Sequence, residues 1–110
     1  MDNKKKGIQL ELMAASKLQE IFQETPPIRP SKASSGGSHN TELADIQSQN
    51  IFVECKNDGN WFRRKIWVKL LNSLPFGTTK LPMYIINDPI EGVLVMLSFN
   101  DLCRLLKEKR

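Results

Sequence analysis

The run Ile51-Phe52-Val53-Glu54-Cys55-Lys56 sets a carboxylate and an ammonium two residues apart inside a stretch that otherwise reads as a buried strand. Strand side chains alternate faces, so Phe52, Glu54 and Lys56 leave one side while Ile51, Val53 and Cys55 leave the other. Burying charge costs several kcal/mol unless the groups are paired or hold a metal. Asp45 precedes Glu54 with eight residues between them, and a helix-like segment upstream carries Glu11. Three carboxylates converging on one place can bind a hard divalent cation through oxygen, and magnesium accepts a few such oxygens while keeping several waters. A metal-bound water loses its proton more easily, and the metal offsets charge building on a phosphate. The Lys56 ammonium beside it can position the attacking water or steady that charge. The backbone carbonyl of Cys55 is a further candidate ligand, which leaves its side chain free to be apolar. The bland alternative is a salt-bridge network of Asp45, Glu54 and Lys56 with no chemistry attached.

These groups need elements to carry them. Ile8, Leu12, Ala15, Leu18 and Phe22 recur at helical spacing, which predicts an amphipathic helix over Ile8–Gln23. At about 100° per residue, Glu11 falls within that apolar face, whereas Glu20 falls on the polar side and Glu24 at the helix end. Pro26, Pro27 and Pro30 then stop the helix, Ile28–Ala33 reads as a short edge strand, and Ser34 to Asn40 as a polar loop. Leu43–Gln47 and Ile51–Lys56 predict an antiparallel hairpin closed by Ser48-Gln49-Asn50, with Asp45 near the middle of its first strand. Trp61–Leu74 predicts a helix with Ile66, Trp67 and Leu70 inward and Arg63, Arg64, Lys65 and Lys69 on a basic side. Leu81–Asn87 and Gly92–Phe99 are so apolar that both read as central strands, joined by Asp88-Pro89-Ile90-Glu91. Ser98 or Asn100 is placed to cap a last helix containing Leu102, Leu105 and Leu106. The order suggests an α/β domain, a mixed sheet flanked by helices.

Composition narrows the chemistry. A chain of 110 residues is read as one domain, residues 1–110. One histidine and two cysteines argue against a Cys/His zinc site and against histidine-dependent nucleophilic catalysis. Cys55 and Cys103 read as buried, free, apolar-behaving thiols. The net charge of +4 is a modest bias toward polyanions, concentrated in Lys4–Lys6, Arg63–Lys65 and the C-terminal tail. No apolar run reaches a membrane span, and Met1–Lys6 lacks the apolar core of a signal peptide. The expectation is therefore a cytoplasmic protein with no membrane partner.

Asp45 followed by Glu54-Cys55-Lys56, with Glu11 four residues after Gly7, resembles the signature of the PD-(D/E)xK nuclease superfamily. The element order is most similar to the archaeal-type Holliday junction resolvases and their small phage relatives, and the resemblance covers nearly the whole chain. It implies a restriction-endonuclease-like α-β-β-β-α-β-β-α fold and Mg2+-dependent hydrolysis of DNA phosphodiesters, with Mn2+ able to substitute. Glu11, Asp45 and Glu54 would hold metal and Lys56 would assist the water. Ser35 or Ser38 would correspond to the loop serine near the scissile phosphate. His39, Arg63, Arg64, Lys65 and Lys69 are candidate phosphate contacts. The host would be a bacterial, archaeal or phage-infected cell. Two features depart from the pattern: Ala44 stands where a proline is usual, and the basic helix lacks a glutamine common in related resolvases. They leave the DNA structure open, so a duplex-cutting or nicking enzyme and a non-catalytic DNA-binding module remain alternatives. Cutting two strands symmetrically needs two sites, which implies a homodimer. Trp61, Phe62 and Trp67, or the apolar residues of the last helix, are its candidate interface.

Overall fold

The computed structural model describes residues 3–31, 44–57 and 64–108. Within them the chain forms α1 (Asn3–Phe22), β1 (Ile46–Gln47), β2 (Ile51–Lys56), α2 (Arg64–Ser73), β3 (Leu81–Asp88), β4 (Gly92–Met96) and α3 (Phe99–Glu108). The strands make one mixed sheet in the order β1-β2-β3-β4. β1 pairs antiparallel with β2, β2 parallel with β3, and β3 antiparallel with β4. The parallel pair requires a crossover between β2 and β3, and α2 lies within it.

The alternation of β2 sorts the core into two layers. Ile51, Val53 and Cys55 join Ile46, Met83 and Ile85 under Leu10, Ala14, Ala15 and Leu18 of α1. Phe52, Tyr84 and Ile86 face the other way, against Ile66, Trp67, Leu70 and Leu74 of the α2 segment. Phe52 and Tyr84 are almost fully buried, and side chains of this size contribute about 1.5–3 kcal/mol each on burial. Helix α1 is rotated relative to the periodicity reading: Leu12 is exposed, and the buried stripe runs through Leu10, Ala14 and Leu18. That stripe keeps Glu11 near its centre, with Leu10 and Ala14 on the side away from Leu12.

Several boundaries move. α1 runs from Asn3 to Phe22 rather than Ile8 to Gln23, and Gln23 just after it adopts φ 50° and donates its N–H to the Gln19 carbonyl, a left-handed helix stop. In place of the expected Ile28–Ala33 strand, the described part makes one bridge, Pro30 to Ile46, with Ser31 N–H donating to the Asp45 carbonyl. Pro30 has no N–H to extend that ladder. β1 is only two residues long, and Asp45 stands in a bend just before it rather than mid-strand. Asp88 closes the β3–β4 turn by accepting from the N–H groups of Ile90 and Glu91, and Gly92 leaves it at φ 87°. Ser98 Oγ accepts the Asp101 N–H and caps α3.

Two readings are overturned. β4 is an edge strand with Val93, Leu94 and Val95 exposed, not a central one, since nothing among the described residues pairs beyond it. Cys103 is exposed, because α3 buries none of its residues. No described helix is long and apolar enough to cross a membrane.

Candidate functional site

The β1–β2 register opposes Ile46 to Val53 and Gln47 to Phe52. Continued one step, it sets Asp45 across from Glu54, on the face shared with Phe52 and Lys56. The Asp45 carboxylate Oδ2 accepts the Cys55 N–H at 2.8 Å, so this side chain takes over the ladder where β1 runs out. The Asp45 and Glu54 carboxyls are close enough to shift each other's titration. Lys56 Nζ lies 3.6 Å from Glu54 Oε2. The hairpin thus gathers two acids and one base on the α2 face of the sheet.

The electrostatics follow from burial. Glu54 is pushed up to about 7, first by burial and then by the neighbouring Asp45 charge, with Lys56 opposing. Asp45 is also raised by burial, against the pull of the Cys55 N–H and Lys56. Two carboxyls set this close disfavour ionising together. The Cys55 thiol points the other way and is pushed up by burial, then by the charges of Asp45, Glu11 and Glu54. A thiol so placed is neither nucleophile nor metal ligand.

Glu11 is 9% exposed and reaches the neighbourhood of Cys55 from the α1 side. The three acids surround one residue of β2 from both faces of the sheet. They do not close into one group: among the described residues, no three His, Cys, Asp or Glu side chains stand close enough to hold a metal ion. The donor chemistry of the Asp45–Glu54 pair still fits magnesium, which binds through one or two carboxylates and its own waters. The Cys55 carbonyl fits too. N–H and C=O of one strand residue point to the same edge, and the Cys55 N–H points to Asp45.

Of the phosphate-contact candidates, Arg64, Lys65 and Lys69 are exposed on α2, the helix that covers the Asp45–Glu54 face. Ser35, Ser38, His39 and Arg63 lie outside the described residues, as do Trp61 and Phe62.

The sequence reading missed Glu24. It is 8% exposed and its carboxylate accepts from Ser48 Oγ at 2.8 Å, Gln49 N–H at 3.2 Å, Asn50 N–H at 3.1 Å and Asn50 Nδ2 at 2.8 Å. Burial alone would raise this carboxyl, but the four hydrogen bonds outweigh it and hold Glu24 below its ordinary range. Glu24 therefore clamps the turn that sets the Asp45–Glu54 register. Gln19 supports it, donating to the Glu24 carbonyl and accepting the Ile28 N–H. A polar turn rich in donors was the only signal available, and its acceptor lies some two dozen residues away. At the other end of β2, Asn87 Nδ2 donates to Asn57 Oδ1 at 2.6 Å, which ties the chain just after Lys56 to β3. Tyr84, almost fully buried, stands across from Glu54 in the β2–β3 register. No family model, curated protein or solved structure matches this chain.

Proposed function

We propose that the chain is a magnesium-dependent endonuclease of the PD-(D/E)xK type that hydrolyses DNA phosphodiesters, with branched DNA as the favoured substrate and a restriction-endonuclease-like arrangement of its elements. The observation that carries this reading is the register-opposed Asp45–Glu54 pair with Lys56 at 3.6 Å. A half-buried pair of carboxyls that disfavour ionising together is a poor structural device, because it is destabilising on its own. It becomes useful when a cation offsets the charge of the pair.

Asp45, Glu54 and the Cys55 carbonyl would hold magnesium, and Glu11 stays on the α1 side of the sheet. When bound, the metal supplies Lewis acidity and charge compensation toward a phosphate. The Lys56 ammonium orients the attacking water and balances the developing negative charge. The exposed Arg64, Lys65 and Lys69 give phosphates a positive approach on the same face. At this size, recognition by backbone and shape is favoured over base reading.

A second reading has its own support. Asp45 spends one oxygen on its own hairpin, Lys56 is already paired, and Glu11 does not join a ligand group. A DNA-binding module with the same fold and no catalysis would look like this.

The test offers labelled four-way junction, flap, linear duplex and single strand to the wild type and Lys56→Ala, each with magnesium and with EDTA. Paired symmetric cuts in the junction, lost with EDTA and in the variant, are expected. Cutting of another substrate with the same dependence keeps the nuclease and removes the junction preference. DNA binding without cleavage in magnesium or manganese establishes the second reading.

A further inference from the structure

Phe76 is the most exposed of the described aromatic side chains (107%) and stands in the turn between α2 and β3. A single apolar residue in water is ordinary on a protein surface. This one is held out by a fixed backbone. The Pro75 carbonyl accepts the Thr78 N–H at 3.2 Å and Gly77 takes φ 72°, the pattern of a type II turn with Phe76 as its second residue. Thr78 Oγ1 then accepts the Lys80 N–H at 3.1 Å, and the Leu81 N–H donates to the carbonyl of Asn50, just before β2. The ring is carried by a pinned turn, so covering it with another molecule costs little further ordering.

Its surroundings carry one sign of charge. No acid occurs in the sequence between Asp58 and Asp88, whereas Arg63, Arg64, Lys65, Lys69 and Lys80 all fall in that stretch. Arg64, Lys65 and Lys69 are exposed on α2, and the half-buried Lys80 follows the turn. Glu24, which its contacts with the Ser48–Asn50 turn bring to the same end of the sheet, is buried on its own donors. α2 runs back from the Lys56 end of β2 to the start of β3, and its 10 residues span about 15 Å. One flank of the molecule thus offers cations along a helix and a bare aromatic ring beyond its end, on the face that holds Asp45 and Glu54.

We infer that Phe76 is a stacking platform for an unpaired nucleobase, with the α2 cations following the phosphates of the strand that carries it. Cations that track a backbone and an aromatic ring that takes a base face are the two parts of single-strand recognition, and the ring tolerates any sequence because every base has a π-face. An apolar protein partner fits less well, since Gly77, Thr78, Thr79 and Lys80 follow the ring with no large apolar side chain. A base inside an intact duplex is already stacked and must be extruded before it meets the ring. The platform therefore gains only where a base is open: a single strand, a flap or a branch point. The inference rests on the proposed function for its partner, DNA, but not on cleavage, and it names a physical source for the preference for branched DNA.

The test is fluorescence anisotropy of labelled single strand, four-way junction and fully paired duplex with the full chain, in EDTA so that no strand is cut. Wild type, Phe76→Ala, Phe76→Trp and Ile90→Ala are compared. Ile90 is 88% exposed but sits between Asp88 and Glu91, so it controls for loss of exposed apolar surface. Phe76→Ala is expected to bind single strand and junction about tenfold more weakly, a usual loss for one stacked base. Its duplex affinity, melting and circular dichroism should match wild type, while Phe76→Trp restores binding and Ile90→Ala leaves it unchanged. Single-strand and junction affinities that ignore Phe76 overturn the inference, as does an equal loss on duplex or a wild type that binds none of the three. Phe76-dependent binding to vesicles of anionic phospholipid, without such binding to DNA, overturns it in favour of a membrane contact. Cleavage in magnesium separates the inference from the nuclease reading. A chain that cuts but binds independently of Phe76 keeps the nuclease and loses the platform; one that never cuts yet shows the Phe76 dependence keeps the platform and loses the nuclease.

Discussion

The two edges of the sheet are built on opposite principles. At β1 the strand is two residues long and its polar groups are met by side chains: Asp45 takes the Cys55 N–H, and Glu24 takes four donors of the Ser48–Asn50 turn. At β4 the strand is longer, wholly apolar and open. The first edge is closed by local carboxylates, and one closure also creates the acid pair. Among the described residues, no strand pairs beyond the second edge. Burying charge and leaving apolar surface wet are both costly, and the two edges carry one cost each.

The comparison breaks first at Lys56. Lys56→Ala is expected to lower magnesium-dependent cleavage by about 10³-fold, a typical loss for a positioned proton-handling group, while circular dichroism and melting stay near wild type. Unchanged cleavage would remove chemistry from the β1 edge and leave it a structural closure.

Next is the cost of the acid pair. Glu54 has its folded pKa raised from 4.5 to about 7, so its contribution to stability is full below 4.5 and is lost as pH rises to 7. A shift of this size corresponds to at most about 3 kcal/mol, spread over the coupled pair. Glu54→Gln should abolish that loss and melt higher than wild type at pH 8 without metal, while losing cleavage and magnesium binding. A variant that melts lower than wild type at pH 8 would show that the acid pair is not strained.

Glu24→Gln comes third. It should cost about 2 kcal/mol in urea unfolding, because the turn donors lose a charged acceptor that satisfies four of them at once. Its pH signature is opposite to that of Glu54. The Glu24 pKa is lowered, so its stabilisation is present above 4.5 and is lost as pH falls through the folded value. The variant should therefore flatten the acid limb of the stability profile. It should also weaken magnesium binding without removing a ligand, since the register of Asp45 depends on the turn. Unaltered metal affinity at intact fold would confine Glu24 to stability.

The smallest effect is at the other edge. Ser98→Ala should cost about 1 kcal/mol, the usual worth of such a cap, by exposing the first-turn donors of α3. Urea unfolding checks it, and an unchanged midpoint would show that the Ser98 cap does not hold α3.

Much was legible in the sequence because it is local. Alternation within Ile51–Lys56 already separated Glu54 and Lys56 from the apolar layer, the turn residues set the hairpin, and Ser98 or Asn100 stood where a cap is needed, of which the structure uses Ser98. The α/β order followed from where helical periodicity gives way to apolar runs. The finer placement of α1 was not legible, since a pattern containing both Leu10 and Leu12 allows two rotations, and only packing against Val53 and Ile85 selects one. The two-residue β1 escaped for a similar reason: composition cannot say that Asp45's side chain, rather than its backbone, completes the ladder.

What the sequence by itself determined is the set of groups and their faces, because those depend on spacing along one strand or helix. What only the tertiary structure decided is which groups meet. Glu24 finds its turn, Asp45 finds Glu54 and Glu11 stays on the far side of Cys55, since these contacts depend on how β2 is ordered against β1 and α1. Strand order likewise decided that an apolar run fit for a sheet centre stands at an edge. Hydrophobic periodicity reports how much surface an element must bury, but not whether its own chain supplies the cover.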